Sequence, residues 1–593
     1  MRSKFRLMDS FKHTHPGPWL LGLTMAVTLA ANSAAQSQRD EPQSAPTTGT
    51  ISGQVVTESG QPLPGAAVTV RAYGSGGQGR STFTDAEGSF QVTGLDPAAY
   101  TVSASVSAYV TAPRDPDSIQ SPYYRLGDSV RLELTKGGVI TGTVATAADE
   151  PVVAVRVRAY MIRDNNGQPP RYGAPYRERT TDDRGVYRIY GLNAGTYVVS
   201  AGGGGGFNVN AYDSDTPTFA PSSTRDTAME VNVRSGEEAA NVDIRYRGEP
   251  GHTISGSAID STATAAPSGF TIFLSPISSG LSQWSNSSYQ PPGSRGFSFY
   301  GLADGDYNVV AQLYFPGGEL ALSEPWRVKV RGADVTGIEL TTKPLASIAG
   351  RLTLEESKAP ECQGKRRPLF GETVITPWHN EKNATKDQPQ FPWSLGAPAL
   401  PDKQGDFILR NLASGQYRFN TRPFAKYWYL QSILLQSSTA AAAKATQANR
   451  PIDAARNWVA VKSGDRVSGL IITLAEGAAS LKGQIKLAEG QKLPPKLFIY
   501  LVPAESEKAE DVLRFFASLV AADGSFALNN LPPGRYRTIA KAAGENDSNV
   551  LSRLRLPDEA QARSKLRQEA EVAKTETELK PCQNVTDYQL LFK

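Results

Sequence analysis

Residues able to do catalytic chemistry are few in this 593-residue chain. Histidine occurs only at His13, His15, His252 and His379, and cysteine only at Cys362 and Cys582. A catalytic zinc takes several His and carboxylate ligands. Neither His252 nor His379 begins an H-x-x-E string, because Ser255 and Lys382 stand three residues on. The G-x-S-x-G nucleophile elbow is missing, as are a Walker loop and a G-x-G-x-x-G at a strand–helix junction. A cysteine nucleophile would need Cys362 or Cys582 beside His252 or His379, and the sequence gives no reason to bring them together. No enzyme, no metal and no cofactor are therefore expected.

Binding chemistry has two candidates. Tyr427-Trp428-Tyr429 is the densest aromatic cluster. Exposed aromatics stack on sugar rings through apolar and CH–π contact. The same string also reads as an ordinary strand with Trp428 buried on one face and the tyrosines on the other. Trp284, in a Ser-rich loop, is a lesser candidate. Cys362 and Cys582 form the second. In an oxidising compartment a single pair is expected to join, with buried thiols or links to another chain as the alternatives. The bond would clip the C-terminal segment onto the fourth repeat.

The elements that must position these residues come as a repeat. An aromatic residue, a Leu five residues later and a Tyr five after that recur five times: Phe90/Leu95/Tyr100, Tyr187/Leu192/Tyr197, Phe297/Leu302/Tyr307, Phe407/Leu412/Tyr417 and Phe526/Leu531/Tyr536. Gly88, Gly185, Gly405 and Gly524 precede the Leu by seven residues, and Asp85, Asp182 and Asp402 precede it by ten. Asp followed three residues on by Gly predicts a tight turn, with the carboxylate on turn N–H groups and Gly at positive φ. The alternation Phe90-Gln91-Val92 or Tyr187-Arg188-Ile189 predicts a half-buried strand. A second turn and a strand starting at the Tyr follow. Upstream lie starts such as Ile51-Ser52-Gly53, Ile140-Thr141-Gly142, Ile254-Ser255-Gly256, Ile348-Ala349-Gly350 and Leu481-Lys482-Gly483. Equal spacing of the Tyr favours an inward anchor over a ligand platform. The fold class expected is all-β: a tandem array of about five antiparallel seven-stranded β-sandwich modules, with minor helical insertions at 439–458 and 557–573.

The string T-D-x-x-G-x-F-x-x-x-x-L-x-x-x-x-Y, after an I-S-G-x-V start and a P-L-P-G turn, resembles the carboxypeptidase regulatory-like domain. That family is transthyretin-like and is similar to Cna-B-type and starch-binding-like modules. The resemblance is best in repeat one, near 49–110, and extends over most of 49–541. Repeat three departs, with Pro292 and Arg295 at the turn positions, and so does repeat five, with Ala521 in place of Asp. The family lends its name to zinc carboxypeptidases, but in them the sandwich is an accessory module, and no catalytic domain is seen here. Cna-B-like modules sometimes carry a Lys–Asn isopeptide bond. Lys136 is the only Lys between Lys12 and Lys329, so the resemblance implies no such bond in the first three modules. Lys482 is no more than a formal candidate in the fifth and reads as a solvated strand residue.

The formal net charge of +4 and the lack of a basic run with interleaved aromatics argue against nucleic acid. Arg2, Lys4, Arg6 and Lys12 precede an apolar stretch from Trp19 to Ala31, and Ser33-Ala34-Ala35 suits cleavage before Gln36. The chain is thus expected to be exported, periplasmic or extracellular, with no transmembrane segment in the mature chain. The boundaries expected are a signal peptide at 1–35, a disordered lead-in at 36–48, and sandwiches at 49–136, 137–247, 248–343, 344–476 with insertions, and 477–593 with a C-terminal helix and strand. The function expected is that of a non-enzymatic scaffold or interaction protein, its partner a cell-envelope protein or polysaccharide. The alternative is a carbohydrate-binding protein using exposed aromatics. A third reading is an appendage of an outer-membrane transport system.

Overall fold

The computed structural model describes residues 48–593 apart from 74–78, 112–122, 170–175, 204–209, 261–266, 278–285, 381–395, 423–424, 437–450, 489, 495, 543–552 and 593. The expected signal peptide, the lead-in up to residue 47 and Trp284 lie outside the described residues, as does most of the helix expected at 439–458. The described end of that segment is not helical: it holds the short strand Ile452–Asp453 and a turn. The C-terminal helix is present as Ala560–Ala573, entered through a single turn at Pro557–Glu559.

The chain is all-β and folds into β-sandwiches in tandem. In the first, one sheet runs Ser89–Leu95, Gly49–Thr57, Ser129–Lys136, Tyr109–Thr111, and the other Arg80–Phe83, Ala67–Ala72, Tyr100–Ser105. The fourth and fifth repeat this plan. In the third, Leu320–Ser323 pairs with both Gly305–Tyr314 and Val335–Pro344, and so joins the two sheets. The strands are antiparallel with one recurrent exception. The opening strand of a sandwich pairs parallel with its closing strand, as in Gly53↔Val130 and Gly483↔Tyr588. The opening glycine belongs to this pairing: a Cβ on Gly53 would overlap the Val130 carbonyl oxygen, and one on Gly483 the Tyr588 carbonyl oxygen.

The spacing of the repeat has a geometric cause. Side chains alternate along a strand, so residues five apart should face opposite sides. Yet Phe90, Val92 and Leu95 are all buried, as are Tyr187, Ile189 and Leu192, and Phe526, Leu528 and Leu531. The residue before the Leu resets the phase. Gly94, Gly191, Gly301, Asn411 and Asn530 all have positive φ, between 56° and 72°. The pairing register shifts there, for example between Gly49↔Leu95 and Ile51↔Val92. This is a β-bulge, and Gly and Asn are the residues that tolerate its left-handed conformation. The Asp turn behaves as its residues suggest. Asp85 Oδ1 accepts from the Glu87 and Ser89 amides at 3.1 and 2.7 Å, and Asp182 and Asp402 do the same in their own turns.

Each repeated Tyr lies inside its core. Tyr100, Tyr197, Tyr307, Tyr417 and Tyr536 all donate their hydroxyl to the carbonyl four residues back, at 2.5 to 2.9 Å. Burial of the ring and a bond for the hydroxyl satisfy both halves of the side chain. The array also folds back on itself: Ala99 N–H donates to Gly371 O at 3.0 Å, and Ala99 and Tyr123 pack on Val374.

Candidate functional site at the joint of the last two sandwiches

Both groups of site residues expected from the sequence lie at the joint between the fourth and fifth sandwiches. Cys362 ends a turn at Pro360–Cys362 and is 1% exposed. Cys582 sits at φ 57° between the strands Glu576–Leu579 and Asn584–Phe592. The two sulfurs are placed as a disulfide, S–S 2.03 Å, with Cα atoms 5.4 Å apart. The Cys582 amide donates to Gly477 O at 3.0 Å. Gly477 and Ala478 link the closing strand Arg466–Glu476 to the next opening strand, Ala479–Leu487. Both their amides donate to the Tyr427 carbonyl at 2.9 Å.

Tyr427 is half-buried. Its hydroxyl accepts from Asn584 Nδ2 at 3.4 Å, and the ammonium groups of Lys365 and Lys426 lie 4.9 and 5.4 Å from its ring centroid. The Asn584 hydrogen bond first, then the two lysines, hold its pKa below the ordinary tyrosine value. Trp428 opens the strand Trp428–Leu435 and is 1% exposed, within the fourth core. A stacked sugar needs an open ring face, and Trp428 presents none. Tyr429 is half-buried, its hydroxyl pushed up by burial.

The fifth sandwich reaches into the fourth. Val512 and Leu513, in the turn Val512–Arg514, belong to the fourth sandwich's apolar cluster. Asn530 Nδ2 donates to Ala425 O and Trp428 O at 2.9 and 2.8 Å. Trp458 Nε1 donates to Asp558 Oδ1 at 3.0 Å. Asn411 ties the fourth sandwich to the third in the same way: its Oδ1 accepts from the Leu320 amide and its Nδ2 donates to Gly318 O, both at 3.0 Å. The sequence reading passed over Asn411 and Asn530. Their signal was present as the replacement, in the last two repeats only, of the Gly that precedes the Leu.

The remaining candidates are dispersed. His252 is half-buried, 3.4 Å from Asp304 and 3.8 Å from Asp334. His379 is exposed and rests on Tyr417, ring centroids 5.1 Å apart. Lys136 and Lys482 are exposed strand residues. Among the described residues no group of three His, Cys, Asp or Glu is placed to hold a metal ion, and no helix is long and apolar enough to cross a membrane.

Residues 50–120 match the carboxypeptidase regulatory-like domain. The match falls on the first sandwich, where the motif residues are most regular. No curated protein matches the chain. Among solved structures the chain is similar to the Bacillus anthracis TIE protein, at 14% identity over 50% of this chain and 51% of that one, TM-score 0.14. It thus spans about half the length of that protein. It is also similar to the shaft pilin SpaA of Lactobacillus rhamnosus GG, at 12% identity over 34% of this chain and 99% of that one, TM-score 0.17. BcpA, the major pilin subunit of Bacillus cereus, gives 13% identity over 50% and 99%, TM-score 0.13. Scores this low bear on no question of function.

Proposed function

We propose that the chain is an exported, non-catalytic scaffold of carboxypeptidase regulatory-like sandwiches, divided at 49–136, 137–247, 248–343, 344–476 and 477–593. It works in the periplasm or outside the cell and meets a cell-envelope protein or polysaccharide. One observation carries this reading. The residues that recur in the repeat are used up in building it: the aromatic and Leu fill the core, the Tyr closes a turn, and the Asp and Gly form a hairpin. Asn411, Asn530 and the cystine, which not all repeats share, lie at the joints. A single cystine across a joint suits an oxidising compartment. Expression with the native N-terminus tests the reading. The expected product is a chain beginning at Gln36, in the periplasmic or culture fraction, with Cys362 and Cys582 in one linked peptide. Cytoplasmic retention with an intact N-terminus overturns it. A glycan array run beside capture from native envelope then identifies the partner class.

A further inference from the structure

The third sandwich carries an open groove of about 510 Å³. Phe297 and Phe299 of the strand Gly296–Leu302 belong to the core, so Ser298 and Tyr300 stand on the outer face. Ile254 and Ala258 of the neighbouring strand His252–Asp260 are in the core too, which puts Ser255 and Ser257 outside. Ser255 pairs directly with Ser298. Both serines line the groove, as does the half-buried Tyr300. Gln290 joins them from Asn286–Gln290, the edge strand of the other half of the sandwich, and its Oε1 accepts from Ser294 Oγ at 3.4 Å. Part of the lining is bare backbone. Gly337, at φ 73°, sits in the bulge between the pairs Ile254↔Val335 and Gly256↔Ile338, and a Cβ on it would meet open space.

In the other sandwiches longer side chains cross the corresponding face. Gln54 Nε2 donates to Glu87 O at 2.8 Å in the first. In the second, Arg188 and the Thr141 hydroxyl both donate to the Glu238 carboxylate at 3.0 Å, and the Arg179 guanidinium carbon lies 4.5 Å from the Tyr190 ring centroid. In the fourth, Arg351 Nε donates to Asp406 Oδ1 at 2.6 Å. The fifth has Lys482 and Gln484 there. The third repeat has serine at 255, 257 and 298, so the face beside Tyr300 is left low. None of the residues lining the groove is charged. An anion asks for donors and a cation for acceptors, whereas serine hydroxyls and a glutamine amide offer both. They match a ligand whose own hydroxyls both donate and accept. The tyrosine ring adds a surface on which the apolar face of such a ligand stacks. A neutral sugar has both features. The volume falls within the range of ligand clefts, roughly 300–1,000 Å³, and an open groove admits a unit that belongs to a longer chain.

We propose that this groove of the third sandwich binds a neutral polysaccharide, with a sugar ring against Tyr300 and its hydroxyls on Ser255, Ser298 and Gln290. The site rests on the scaffold reading only in needing a polysaccharide within reach, and the two fail separately. Retention in the cytoplasm would sink export and leave sugar binding measurable. A purified chain that binds no sugar would sink the site and leave export and the cystine untouched. The test is titration of the full chain, followed by saturation-transfer NMR, with maltotetraose, cellotetraose and chitotetraose as neutral probes and tetragalacturonate as a charged one. Binding of at least one neutral probe is expected, with tetragalacturonate weaker. Tyr300→Ala should weaken it about tenfold, as loss of a stacked ring does, while Tyr300→Phe keeps the ring and stays within about threefold. Ser298→Arg, which places in the groove the side chain that the second repeat has at 188, should abolish it. Tyr190→Ala, at the corresponding position under Arg179, should leave it unchanged. Failure of all three neutral probes at about 10 mM, where even a millimolar site is mostly filled, overturns the proposal. So does preference for tetragalacturonate, or binding that Tyr300→Ala and Ser298→Arg leave intact. Should those variants fail to fold, hydrogen exchange on the unaltered chain decides. The bound probe must slow exchange in Gly296–Leu302 and leave Val186–Leu192 as it was, and equal exchange with and without probe overturns the site.

Discussion

Asn530 does two separable jobs, and two substitutions tell them apart. Its backbone takes the left-handed conformation of the bulge, φ 56°, and its amide bridges Ala425 O and Trp428 O in the preceding sandwich. Asn530→Gly keeps the first job and loses the second. Two hydrogen bonds at roughly 0.5–1.5 kcal/mol each put the loss at about 1–3 kcal/mol, felt at the joint. Asn530→Ala loses both, and a Cβ without a compensating polar group adds about 1–2 kcal/mol for the left-handed backbone. A chain of five sandwiches does not unfold in one step, so a bulk transition would blur the effect. Hydrogen exchange resolved by peptide reports local opening instead. Amides of Trp428–Leu435 and Ser525–Leu531 should exchange faster in Asn530→Gly and faster still in Asn530→Ala, while Ser89–Leu95 stays as it was. If Asn530→Gly exchanges like the unaltered chain and only Asn530→Ala differs, the amide does not hold the joint. If neither differs, the bulge argument fails as well.

Other outcomes follow from the same structure. Tyr197→Ala, removing a ring that is 2% exposed, should cost about 3–5 kcal/mol in the second sandwich, and a loss under about 1 kcal/mol in chemical denaturation would make the ring peripheral. Non-reducing peptide mapping should recover Cys362 and Cys582 linked; their recovery as separate thiols from oxidised protein would remove the clip, for which the chain-entropy model sets an upper stabilisation of roughly 5 kcal/mol. Burial raises Tyr307 from 10.0 to about 12, and raises Tyr197, Tyr417 and Tyr536 as well. Stability from a raised tyrosine is complete below the unfolded value and is lost as pH climbs through the folded one, so thermal stability should be level up to pH 10 in this respect and fall between pH 10 and 12. In ultraviolet difference spectra Tyr427 should ionise before these, and a single native titration of all tyrosines near pH 10 would contradict their burial.

The sandwich was legible because its determinants are local and repeated. The Asp turn, the half-buried strand and the Tyr whose hydroxyl reaches back four residues each fit within about a dozen residues of chain, and five copies separate them from chance. The parallel pairing was not legible. It joins Gly53 to Val130, and no turn in the sequence announces a partner so distant. The joint was less legible still, because the residues that build it occur once each. Trp428 and Asn530 are 102 residues apart, and Cys362 and Cys582 are 220 apart. A residue without a periodic counterpart reads as an ordinary strand or loop position. Tyr427-Trp428-Tyr429 shows how this misdirects: a dense aromatic string suggests a platform, yet Trp428 fills a core and Tyr427 anchors the linker through its carbonyl. What would have pointed to the joint is the break in the repeat. Gly stands before the Leu at 94, 191 and 301, and Asn at 411 and 530. Both residues satisfy the bulge, so the fold alone does not choose between them. A side chain is present only in the last two repeats, and in both it crosses to the preceding sandwich. Where a repeat departs from itself without harm to its fold, the departure marks a contact outside the repeat.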